Sequence, residues 1–105
     1  MIERLRNIHP GEVLKEEFLI SLNITAYRLS KETNIPQTAI SDIIKGRRRI
    51  TAPIALRFSK FFGTTPQFWL GLQDDYDLEE EEIHLKKDLK NIHSIKELHL
   101  TNSGL

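Results

Sequence analysis

The chain contains no cysteine. Disulfide bonds and cysteine-ligated zinc or iron–sulfur centres are therefore excluded, and a reducing compartment suits the composition. No apolar run exceeds a few residues, so no membrane-spanning helix is expected. The opening, MIERLRNIHPGE, lacks the apolar centre of a secretory signal. We expect a cytoplasmic protein. Glycine is scarce, at 5 of 105 residues, and none forms a glycine-rich phosphate loop. The histidines, His9, His84, His93 and His99, include no H-x-x-x-H pair, and no nucleophile–base constellation is visible. Glu16–Glu17 and Glu79–Glu82 read as solvated helix carboxylates rather than as a metal site. An enzyme, a metal centre and a cofactor are all unexpected.

Net charge is also absent, but only in the sum. Residues 1–72 carry 11 Lys and Arg against 6 Asp and Glu, a net of +5. Residues 73–105 carry 4 against 9, a net of −5. A basic front and an acidic tail cancel, and such asymmetry points the front towards nucleic acid.

What the sequence does have is helix punctuation. Pro10 and Glu12 suit a first helical turn, and Val13, Leu14 and Phe18 supply an apolar stripe. Thr25 is an N-cap for a second helix, with Ile24 and Leu29 placed as a hydrophobic staple. Asn34 tolerates the left-handed conformation that ends helices, and Pro36 blocks continuation. A third helix is expected over about 37–45, ending at Gly46. A fourth is expected over about 52–62, capped by Thr51, with Ile54, Phe58, Phe61 and Phe62 on one face. Thr65 and Pro66 open a fifth, PQFWLGLQ, whose Trp69 completes the core. No run reads convincingly as strand. We expect an all-α fold, with residues 1–73 as the folded domain and 74–105 as an acidic extension.

The chemistry lies in the third helix and the loop after it. At about 100° per residue, Gln37, Ser41, Lys45, Thr38 and Asp42 fall within an arc of about 140°, with Ala39, Ile40, Ile43 and Ile44 on the other side. An ordinary amphipathic surface helix would show the same division. The composition of the polar face goes further. Gln, Thr and Ser both donate and accept short-range hydrogen bonds, as the base edges of the major groove do. Arg47, Arg48 and Arg49 follow directly and are suited to phosphates, with one able to reach a base. Asp42 repels phosphate but can accept from cytosine, and its role stays open.

Residues 25–60 resemble the helix-turn-helix of the lambda repressor and Cro (XRE-type) superfamily, through Thr25, Leu29, Ser30, Asn34, Ile40 and GRRRIT. Over about residues 8–73, the His-Pro-Gly-Glu opening, the Gly-Arg-Arg-Arg-Ile-Thr loop and the Phe-Trp-Leu-Gly-Leu-Gln ending together resemble the HigA-type antitoxins. The resemblance implies a five-helix lambda-repressor-like DNA-binding domain, usually a homodimer. Such a protein binds double-stranded operator DNA, represses its own operon and neutralises a HigB-type ribonuclease toxin. It also implies Gln37, Thr38, Ser41 and Lys45 as major-groove residues and Thr25 and Arg47 as backbone contacts. A stand-alone XRE-type regulator without a toxin is the alternative.

The tail is expected to add a sixth helix over about 79–92, with Glu82 and Lys86 paired at i, i+4. Leu85, Leu89 and Ile92 share its face, a stripe that needs burial on the core or across a dimer. The rival reading makes Asp74–Glu82 an electrostatic mate for a basic ribonuclease.

Overall fold

The computed structural model describes residues 6–99. All regular structure among them is helical. α1 (Pro10–Val13) runs directly into a π-helical segment (Leu14–Ile20), followed by α2 (Ala26–Thr33), α3 (Gln37–Ile44), α4 (Ala52–Phe62), α5 (Pro66–His84) and α6 (Lys86–Lys90).

Each start and stop has a local cause. His9 caps α1, its Nδ1 accepting from the Gly11 N–H at 2.9 Å, with Pro10 in the first turn. The π-helical segment closes wider rings than an α-helix, and it turns Leu14 and Leu19, five residues apart, both into the core. Thr25 Oγ1 accepts from the Arg28 N–H at 3.0 Å and opens α2. Asn34, at φ 59°, closes α2 in the left-handed region. Thr65 Oγ1 accepts from the Phe68 N–H at 3.1 Å and opens α5. Thr51 occupies the N-cap position of α4, but its hydroxyl makes no capping bond.

The core gathers residues from every helix up to the middle of α5. Leu14, Leu29, Ile40, Ile43, Ala55, Phe58 and Trp69 are fully shut off from solvent. Trp69 stands at the centre of an aromatic cluster, 4.8 Å from the Phe18 ring and 5.1 Å from the Phe58 ring. Its indole N–H donates to Thr64 Oγ1 at 2.7 Å, so the ring is buried without an unsatisfied donor.

The tail differs from expectation. α5 does not stop near Gln73 but continues as one helix to His84. The sixth helix expected over 79–92 is therefore divided, with 79–84 belonging to α5 and only Lys86–Lys90 forming α6. Leu85, Leu89 and Ile92 do not dock on the core; they are 39%, 46% and 67% exposed. Every residue from Glu81 to His99 is exposed, and the molecule is elongated, at 61 × 36 × 24 Å. After α6 the chain makes turns, the first held by a reciprocal pair in which Ser94 N–H donates to Glu97 Oε1 and Glu97 N–H donates to Ser94 Oγ. Among the described residues no helix is long and apolar enough to cross a membrane.

Candidate nucleic-acid interface

The turn between α2 and α3 is held from three sides. Ser30 Oγ donates to the Ile35 carbonyl, Thr33 Oγ1 donates to the Leu29 carbonyl, and Arg57 Nη1 reaches from α4 to the Thr33 carbonyl at 2.8 Å. Ile35 is buried in the turn itself. α3 therefore leaves the turn in a fixed direction. Its Ala39, Ile40 and Ile43 are buried, while Gln37, Thr38 and Lys45 are exposed and Ser41 and Asp42 half-buried. The structure thus places Gln37, Thr38, Ser41 and Lys45 along one accessible face of α3.

The end of α3 is also set by the backbone of α1. A side chain on Gly11 would place its Cβ 1.7 Å from the Ile43 carbonyl oxygen. Only glycine permits this approach, so α1 rests directly on the C-terminal turn of the exposed-faced helix. The Gly46 N–H donates to the Ile43 carbonyl at 3.0 Å and the Arg47 N–H to the Asp42 carbonyl at 2.8 Å. With Gly46 at φ 77°, this is a Schellman closure. It turns the chain sharply and releases the three arginines into solvent.

The arginines are not equivalent. All are exposed, but Arg49 Nη2 lies 2.8 Å from Asp77 Oδ2 on α5. Arg47 and Arg48 have no ion-pair partner among the described residues. Arg48 lines a shallow cavity of about 320 Å³ with Thr38, Asn34, Pro36, Ile54 and Arg57, so loop and helix face are contiguous there. Thr25 sits apart from these groups, at a separate cavity of about 270 Å³ with Asn23, Ile24, Arg28 and Phe61. Asp42 forms no ion pair among the described residues, and its backbone carbonyl serves the Schellman closure.

The loop ends where Ile50 enters the core. Its N–H donates to Gln73 Oε1 at 2.7 Å, and Gln73 Nε2 donates to Asp77 Oδ1 at 3.0 Å. The N-terminal strap closes on the same part of α5. Asn7 Nδ2 donates to the Tyr76 carbonyl at 2.9 Å and to Glu80 Oε2 at 3.1 Å, and the His9 ring meets Tyr76 edge-on at 4.9 Å. Burial lowers the His9 pKa, and the Asp77 charge opposes this. Arg6 and Glu12 form a bidentate pair, which raises the pKa of the guanidinium and lowers that of the carboxyl. Sequence reasoning quoted His9, Gly11 and Gln73 within the two motifs and gave neither them nor Asp77 a structural part. A signal existed for one of them: a glycine in the first turn of a helix lowers helix stability and implies a packing reason.

Residues 14–69 match the helix-turn-helix family model HTH_3. Virulence-associated protein I of Dichelobacter nodosus is 37% identical over 94 residues, covering 81% of this chain and 87% of its own length. An addiction-module antidote protein of the HigA family from Coxiella burnetii has a similar structure, with a TM-score of 0.80 at 44% identity over 86% of this chain and 99% of the other. The Pseudomonas aeruginosa antitoxin HigA, solved with the higBA promoter, gives a TM-score of 0.81 at 33% identity, covering 86% and 99%.

Proposed function

We propose, for a chain that belongs to the XRE-type helix-turn-helix family, that it is a transcriptional repressor acting as the antitoxin of a HigB-type ribonuclease toxin. In this reading α3 enters the major groove of an operator in its own operon. Gln37, Thr38, Ser41 and Lys45 face base edges, while Thr25, Arg47 and Arg48 hold phosphates. The observation that carries the reading is the row of short side chains along α3 that both donate and accept, followed at once by two arginines with no ion-pair partner among the described residues. A solvated helix has no need of that order. The likeness to an antitoxin solved with its promoter supports it.

DNA binding is assigned to residues 1–73. The tail, with its net of −5, is repelled by phosphate and lies outside the groove. One short helix reads too few base pairs for genomic specificity, so two copies read successive major grooves about 34 Å apart.

Footprinting on the DNA upstream of the gene tests the DNA half. Two protected half-sites one helical turn apart are expected; full occupancy of an isolated half-site at equal affinity refutes the dimeric reading. Co-expression with a neighbouring ribonuclease gene tests the other half. Restored growth supports the antitoxin reading. Operator binding without protection from any neighbouring ribonuclease leaves a stand-alone regulator.

A further inference from the structure

We propose that Asp77 limits the phosphate contacts of the DNA interface: it holds the Arg49 guanidinium away from phosphate, so that the loop offers two arginines rather than three. The inference rests on the DNA-binding reading above. Its basis is a relay that begins in the core. Gln73 is 2% exposed, and its two amide atoms are both used, Oε1 by the Ile50 N–H and Nε2 on Asp77 Oδ1. Asp77 therefore presents its second oxygen from a fixed position, and Arg49 takes it at 2.8 Å. Gln73 and Asp77 stand one turn apart on α5, while Arg49 and Ile50 are neighbours in the loop. One helix turn thus grips the loop twice, once by its backbone and once by a side chain.

An isolated surface ion pair gains little, because two long side chains must be ordered together. Here the carboxylate is ordered already by Gln73, so a phosphate competing for Arg49 faces a preformed partner. The same carboxylate repels any phosphate that approaches Arg49. Both effects reduce binding to DNA of any sequence and leave base contacts by α3 untouched. Sequence-independent affinity is set by the number of phosphates neutralised, each adding about 0.9 to the salt slope. Withholding one arginine therefore lowers affinity for operator and unrelated DNA alike, together with its dependence on salt.

The experiment measures the dependence of binding on salt, for operator and scrambled DNA, with the full chain and its variants. Asp77→Asn keeps an oxygen for Gln73 but loses the charge. It is expected to raise the slope by about one and to tighten operator and scrambled DNA by a similar, several-fold factor. Arg49→Gln in the unaltered chain is expected to leave the slope unchanged, whereas Arg48→Ala lowers it by about one. The double variant Asp77→Asn with Arg49→Gln is expected to return the slope to the starting value, showing that the gain runs through Arg49. A fall in slope for Arg49→Gln alone overturns the proposal, since Arg49 would then already hold a phosphate. Weaker binding to both DNAs at unchanged slope in Asp77→Asn also overturns it, because the residue would merely shape the loop. If the unaltered chain shows no salt-dependent binding to any DNA, the DNA-binding reading itself fails, and the proposal with it.

Discussion

The two ends of α5 carry similar apolar residues with opposite fates. Near its start, Trp69 is fully buried and Leu70 and Leu72 pack against the core. Near its end, Leu78 and Ile83 are each 63% exposed, and the apolar residues beyond, from Leu85 to Leu98, remain open as well. The helix is continuous between them. The difference therefore does not come from helix formation. The first half meets α4, the π-helical segment and their aromatic rings, whereas the second half meets the strap and the arginine loop through polar groups and then leaves the domain. An apolar stripe specifies that a face wants cover; it does not specify what covers it, or whether the cover lies in the same chain.

This contrast sets the expected sizes of several perturbations. The largest belongs to the buried end. Trp69→Ala removes the centre of the aromatic cluster and leaves Thr64 without its donor, and a loss of about 3–5 kcal/mol is expected in chemical denaturation. A loss below about 1 kcal/mol would mean that the front half is packed no better than the tail. Gly11→Ala comes next. Its methyl group would collide with the Ile43 carbonyl, and overpacking of this kind destabilises by about 1–3 kcal/mol. Operator affinity should fall as well, since α3 must shift to make room. Unchanged stability and affinity together would show that α1 does not set the position of α3.

Gln37→Ala tests recognition rather than packing. A loss of about 1–3 kcal/mol on the operator, with relaxed preference at one base pair and little change in melting temperature, is expected. Lys87→Ala in the tail should alter neither, and equal effects from the two would erase the division of labour. A smaller, pH-dependent effect attaches to His9. Its Nδ1 caps α1 only when unprotonated, and burial holds its pKa below the unfolded value. The unfolded chain thus binds the proton more readily, so this contribution to stability is complete above about pH 6.5 and declines as pH falls towards the folded pKa. The decline should shrink in His9→Asn; an identical pH profile for the two proteins would remove His9 from the account. The smallest change is expected at the exposed end. Leu89→Ser with Ile92→Ser should change the stability of dilute protein by no more than about 0.5 kcal/mol. A larger loss that grows with protein concentration would show that a second copy covers these residues.

Much of the front half was legible because its signals are local. Thr25, Asn34, Gly46 and Thr65 each act on their own turn of chain, and each does what its residue type suggests. The division of α3 into a buried isoleucine face and an exposed polar face follows from periodicity alone. The relay from Ile50 through Gln73 and Asp77 to Arg49 was not legible, because its members lie up to 28 residues apart and nothing local to Asp77 distinguishes it from the acids beside it. The extent of α5 was missed for a related reason. The composition changes after Gln73, but DDYDLEEEE contains no helix breaker, and a change in polarity does not end a helix.

The unbroken course of α5 also imposes a rule of phase on the chain. Gln73 and Asp77 act together only because four residues bring a helix back to nearly the same side. One residue inserted between them would swing Asp77 by about 100° around the axis and carry it off the arginine loop, although nothing in the core had changed. Asn7 meets Tyr76 and Glu80 under the same restriction. From Glu81 to Leu98 the hydrogen bonds seen among the described residues stay within the tail, and length there is expected to vary more freely. The tolerance of this protein to insertion is thus expected to change abruptly along a single helix, at a point where its outline shows no seam.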